Sequence, residues 1–166
     1  MTKRLTWALC LTLAFTATLS AKSIKVPEDD PAVTVNVPDS WSPETIDGGI
    51  TTESEDKEAT VFFEVTDAKG TAALLDENIK WLKGEKVTID LSTKSEKEFK
   101  AGSMTWSSVS WSGTSEEWGP ATIGFAFSDV GNGKVLVMTY WITKKGMAKH
   151  EAELNKIFES VKKIKG

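Results

Sequence analysis

The chain reads as an α+β protein: a mainly antiparallel sheet of about six strands flanked by helices in a three-layer α/β/α sandwich. Three observations predict this. Short runs alternate apolar and polar residues, as in Val33, Val35 and Val37 around Thr34 and Asn36, which is the period of a half-buried strand. Two segments change to the helical period: Leu74, Leu75, Ile79 and Leu82, and later Met147, Leu154, Ile157, Phe158, Val161 and Ile164. Large apolar residues also stand side by side, at Phe62-Phe63 and Tyr140-Trp141-Ile142. They point to both faces of the sheet, and such a sheet needs cover on both sides.

The chain begins with the layout of a secretory signal peptide. Lys3 and Arg4 precede an apolar run from Leu5 to Leu19, and Ala17-Thr18-Leu19-Ser20-Ala21 supplies small residues for cleavage. The expected organisation is a signal peptide over residues 1–21, a flexible mature N-terminus over 22–32 and one α+β domain over 33–166. The remainder, roughly 145 residues, is the size of one domain and has no second apolar run to span a membrane. Cys10 and Arg4, the only cysteine and the only arginine, leave with the leader. Trp7-Ala8-Leu9 before Cys10, and the apolar and Thr-rich residues after it, do not form a lipobox.

What remains has 18 basic and 24 acidic residues, a net charge of −6. An acidic chain without arginine is poorly suited to nucleic acid. Without cysteine it forms no disulfide, thiolate metal site or cysteine nucleophile. The core must hold it together, and six of the seven tryptophans (Trp41, Trp81, Trp106, Trp111, Trp118 and Trp141) are available for it.

The elements follow in order. Lys22 to Ala32 carries two prolines and Glu28-Asp29-Asp30 and reads as a linker. The valine-rich strand ends at Pro38, and Pro38-Asp39-Ser40 turns the chain into Trp41. Asp47-Gly48-Gly49 is a second turn, Ile50 to Ser54 a short strand and Ala59 to Val65 a strong one. Residues 71–83 form a helix, with Thr71 as its cap and Gly84 at its end. Val87, Ile89 and Leu91 alternate as a strand, and Ser92 to Lys100 is a charged loop with some helix. Strands are expected at 103–112, 121–128 and 134–143. Asn132-Gly133 joins the last two as a hairpin, since both residues tolerate positive φ. Asp129 with Asn132 lacks the spacing and the distal glutamate of a calcium loop. Residues 146–164 form the closing helix, with Lys162, Lys163 and Lys165 in its last turn, where the helix dipole favours cations.

Two segments carry a resemblance to a known family. Val35-Asn36-Val37-Pro38-Asp39-Ser40-Trp41 is similar to a strand ending in a "vP-x-x-W" turn, and Phe158-Glu159-Ser160-Val161-Lys162 to a closing "il-x-S-f/v" pattern. On these residues, 33–164 resembles the Mog1/PsbP-like fold, including small periplasmic members related to DcrB. That family includes photosystem-associated proteins, a Ran-binding nuclear protein and many bacterial proteins. It shares no catalytic site that transfers to this chain, so the resemblance implies the architecture and not a reaction.

The candidate ligand-binding residues are Trp41, Trp118, Trp106 and Trp111. Indoles among the hydroxyls of Ser107 to Ser115 have the chemistry to stack on and hydrogen-bond a sugar or another flat ligand. Trp106 and Trp111 are five apart, so an unbroken strand turns them to opposite faces. Trp118 and Trp41 are expected to be the partly exposed ones. His150, the only histidine, is expected on the exposed side of the last helix. Acidic clusters at 28–30, 53–56 and 116–117 sit in polar loops and lack the buried facing pair that glycoside hydrolysis needs. No catalytic residue, metal ligand, cofactor or phosphate loop is assigned.

The leading functional expectation is a periplasmic or secreted, non-enzymatic domain. It acts by binding or assembly in the cell envelope, on a protein or small-molecule partner. The alternative is a small-ligand binder of sugar, lipid or aromatic compounds through exposed tryptophans. A carboxylate-based hydrolase is the third reading.

Overall fold

The computed structural model describes residues 21–164. The expected leader therefore lies outside the described residues apart from Ala21. The order is β1 (Ala21–Val26), β2 (Val33–Pro38), β3 (Glu44–Ile46), β4 (Gly49–Glu53), β5 (Ala59–Asp67), α1 (Thr71–Gly84), β6 (Val87–Ala101), β7 (Met104–Ser115), β8 (Gly119–Gly131), β9 (Lys134–Thr143), α2 (Lys144–Ser160) and β10 (Lys162–Lys163). Seven strands form one antiparallel sheet in the order β3-β4-β5-β9-β8-β7-β6, and β1-β2-β10 form a smaller one. The chain leaves β5 through α1, reaches the far edge at β6, and returns by hairpins until β9 lies beside β5.

The doubled apolar residues do what their spacing requires. Val61 and Phe63 pair with Tyr140 and Met138, while Phe62 pairs with Thr139 on the opposite face. One face buries Ala59, Val61, Phe63, Leu136, Met138 and Ile142 against Leu154 and Ile157 of α2 and against Val33, Val35 and Val37 of β2. The other buries Ala121, Ile123 and Trp141 under Leu82 of α1. Helices therefore cover opposite faces, and the small sheet shares the α2 side. Beneath α1, Asn78 Nδ2 donates to Glu64 Oε2 at 2.7 Å and to Thr139 Oγ1 at 2.9 Å. Burial pushes the Glu64 carboxyl up, Asn78 opposes this and Glu77 adds to it.

Four expectations change. Residues 21–26, within and beside the expected linker, pair along the whole of β2 from Ala21↔Pro38 to Val26↔Val33. Ile24 and Val26 alternate as a strand; the prolines and acids begin only at Pro27. The charged segment 92–100 is strand, the second half of β6, with a register shift between Asp90 and Ser95. As an exposed edge strand it needs no apolar alternation, and its charges discourage pairing with another chain. The closing helix stops at Ser160, and Val161 is extended at φ −64° and ψ 126°. The open edge of β2 captures Lys162 and Lys163 as β10, so they do not sit in a last helical turn; Lys165 lies outside the described residues. Thr71 does not cap α1: its Oγ1 donates to the Asp67 carbonyl, and the Asp67 carboxylate takes the Lys69 and Gly70 N–H groups instead.

The hairpin at 131–133 holds, with Gly131, Asn132 and Gly133 all at positive φ. At the start of α2, Thr143 Oγ1 caps the Gly146 N–H at 2.8 Å. Gly146 is seated against Glu58, and a Cβ there would lie 2.4 Å from the Glu58 carbonyl oxygen. Gly146→Ala gains ~1 kcal/mol of helix propensity but overpacks a backbone atom that cannot swing away, at about 1–3 kcal/mol or more. The expected outcome is a net loss of stability of the order of 1 kcal/mol, read as a lower urea midpoint at unchanged slope.

Candidate functional site

The four tryptophans singled out in the sequence do not converge. Trp41 is fully buried, contrary to its expected exposure. The turn after β2, closed by the Trp41 N–H on the Pro38 carbonyl at 2.9 Å, folds the indole beneath α2. There its Nε1–H donates to Glu153 Oε2 at 3.1 Å and its ring meets His150 edge-on at 5.5 Å. Trp106 is fully buried on the α2 side, 5.2 Å from Phe158. Trp111 is half-buried on the α1 side against Phe125. The two do face opposite ways. Trp118 is 37 % exposed in the turn between β7 and β8.

Trp118 opens onto a pocket of about 180 Å³. Its companions are indoles not predicted for the site, Trp81 and Trp141. Sheet register builds the floor: Glu53 pairs with Thr60, Thr60 with Trp141, and Trp141 with Ile123. The last turn of α1 brings Trp81, and Glu85 follows it. Trp81 is held edge-on to Phe62 at 4.6 Å. Ser115 Oγ accepts the Glu117 and Trp118 N–H groups at 3.3 Å and shapes the turn. Trp141 is 6 % exposed, and its Nε1 is buried without a hydrogen-bond partner among the described residues. Trp106 Nε1, in the core on the α2 side, is orphaned in the same way, and such a donor is costly wherever it lies.

A larger groove of about 420 Å³ lies on the other face, between the sheet and α2. Phe99, Met138, Tyr140 and Phe158 make its apolar lining. Burial pushes the Tyr140 hydroxyl up, and a bond to Ser110 opposes this. Lys97 and Lys100 on one lip are matched by Glu151 and Glu159 on the other, so its charge selects no occupant.

His150 is buried, not exposed. Its Nδ1 lies 2.7 Å from Glu153 Oε2 and its Nε2 lies 3.0 Å from Asp56 Oδ1. Asp56 also accepts from Ser54 Oγ at 2.8 Å and Lys149 Nζ at 2.6 Å. Both imidazole nitrogens are engaged by carboxylates. The arrangement works as a tether between the β4–β5 turn and α2. Beside it, Glu58 takes Lys145 Nζ at 2.6 Å and the Thr143 hydroxyl, and these hold its carboxyl below the usual range. Among the described residues no three His, Cys, Asp or Glu side chains converge to hold a metal ion, and no helix is long and apolar enough to cross a membrane.

The architecture has known counterparts. The chain superposes on cyanobacterial PsbP (CyanoP) from Synechocystis sp. PCC 6803 with a TM-score of 0.57 at 5 % identity, covering 93 % of this chain and 99 % of that one. It superposes on LpqN, involved in cell envelope biogenesis of Mycobacterium tuberculosis, with a TM-score of 0.52 at 15 % identity, covering 87 % and 92 %. The fold is thus PsbP-like, as the turn at Pro38–Trp41 and the closing segment imply. No family model matches the sequence, and no curated protein does.

The tether has a pH signature. Burial pushes the Asp56 carboxyl up, but Lys149, Ser54, His150 and the Glu58 N–H outweigh it and hold the carboxyl well below its ordinary 3.8. A carboxyl lowered by folding contributes stability above its unfolded pKa and loses it as the pH falls. Asp56→Asn is expected to lower stability by about 2 kcal/mol at neutral pH, the scale of a bond to a charged group. It should also flatten the acid limb of the stability curve below pH 3.8, where the unfolded chain's carboxyl takes up a proton and the native one still holds its charge. Urea titrations of both proteins over a pH series check this.

Proposed function

We propose that this is an exported, non-enzymatic domain of the cell envelope that acts by binding, with the Trp81–Trp118–Trp141 pocket as its small-ligand site. The observation that carries the reading is one pocket lined by three indoles, Trp81, Trp118 and Trp141, of which Trp118 is partly exposed to solvent. Indoles set among convergent polar groups can both stack on and orient a small ligand. The leader layout of residues 1–21 supports export. LpqN, involved in cell envelope biogenesis, provides a precedent for this fold there. The earlier choice of tryptophans is thereby narrowed to Trp118, with Trp41 and Trp106 serving the core.

A thermal-shift screen of sugars, lipids, small cations and aromatic compounds tests the reading. A true ligand at a hundredfold its Kd stabilises by about 2.7 kcal/mol, a rise of roughly 5–10 °C for a domain of this size. The rise is expected to disappear in Trp118→Ala, whose own melting temperature should stay close to wild type because the indole is partly exposed. A screen with no hit dependent on Trp118 would remove this site and leave a protein partner as the binding reading. Fractionation of cells making the full-length chain, with the mature mass measured, tests export. Uncleaved protein in the cytoplasm would sink it.

A further inference from the structure

The geometry points to an alkylated ammonium ion, a choline-like free cation, as the ligand class of the Trp118 pocket. The inference rests on the ligand-binding reading above and adds the chemistry of the occupant. Three indoles line the space, and an indole face is the best aromatic partner for a cation. Glu53, Glu85 and Glu117 also line it against a single ammonium, that of Lys57. None of these four makes an ion pair among the described residues. The pocket therefore presents an excess of negative charge over aromatic faces, which concentrates cations and repels anions.

The polar groups narrow the class further. Thr60 Oγ1 is directed to Glu53 at 3.5 Å, and Ser115 Oγ already accepts two backbone N–H groups. The carboxylates accept from any ammonium N–H that reaches them, but the indoles accept no conventional hydrogen bond, so methyl groups suit the aromatic side of the space. A quaternary ammonium has no N–H to lose. At about 180 Å³ the space suits a small head group and not a drug-sized molecule.

The test is titration of the purified protein with choline chloride and with tetramethylammonium chloride, followed by tryptophan fluorescence and calorimetry. Sodium chloride at equal ionic strength is the baseline. Three comparison arms are choline's neutral tert-butyl analogue, phosphocholine and the Trp118→Ala and Glu117→Gln variants. Saturable binding of both cations is expected, with the neutral analogue about tenfold weaker. Trp118→Ala should abolish the response with the circular dichroism spectrum unchanged, and Glu117→Gln should weaken it severalfold. Equal binding of choline and its neutral analogue would overturn the cation assignment and leave an apolar ligand site standing. Phosphocholine binding tighter than choline would replace the free cation by a lipid head group. No response to any of the compounds overturns this inference, whereas the pocket reading falls only if the wider screen is also blank.

Discussion

A strand that is apolar on both faces cannot be left open to water on either. β9 is such a strand: Leu136, Met138 and Ile142 face α2, and Val137 and Trp141 face α1, all nearly or fully buried. Its position between β5 and β8, hydrogen-bonded on both edges, places it at the centre of the sheet. The rest of the architecture follows from covering it. One helix on each face is the smallest solution, and the chain supplies α1 from the crossover and α2 from its C-terminal part. β2 completes the cover on the α2 side with three fully buried valines. Burial of this kind, at roughly 25 cal/mol per Å² of apolar surface, holds together a domain that has no disulfide to help it.

Polar contacts then fix where α2 lies. Apolar packing is tolerant of small shifts, but hydrogen bonds are not. The Trp41–Glu153–His150–Asp56 chain joins the turn after β2, the β4–β5 turn and the helix. Thr143, Glu58 and Lys145 hold the first turn of the same helix. Partly buried ion pairs of this sort add little net stability against apolar substitutes, and their removal one partner at a time is harmful. Their role here is positional. On the opposite face Asn78 ties α1 to Glu64 and Thr139. That face ends in the Trp118 turn and the last turn of α1, where one indole is partly exposed.

Period and turn chemistry were legible in the residues. The alternating valines, the Asn132-Gly133 hairpin, residues 134–143 as a strand and the stretch from Thr71 as a helix all depend on local preference, and each appears. The opposite orientation of Trp106 and Trp111 was legible as well, because five residues in a strand reverse the side. The strand formed by 92–100 was not: an exposed edge strand carries no apolar period. Nor was the end of α2, since Val161 continues the helical stripe and only the free edge of β2 draws the chain into β10. His150 and Trp41 were misread for a related reason. Neither has a local signal for burial, and each is buried by a partner more than a hundred positions away.

The candidate site follows the same division. By itself the sequence determined the class of fold, the both-sided core, the lack of thiol and guanidinium side chains beyond residue 21, and Trp118 as a partly exposed indole. The tertiary structure alone decided which indoles share its pocket. Trp81, Trp118 and Trp141 lie on a helix, a turn and a strand, separated by 37 and 23 positions. They meet because antiparallel register sets Thr60 beside Trp141 and because α1 crosses that row at its last turn. Register is a property of strand pairs and crossing is a property of layers, so neither is written in the period of any one segment.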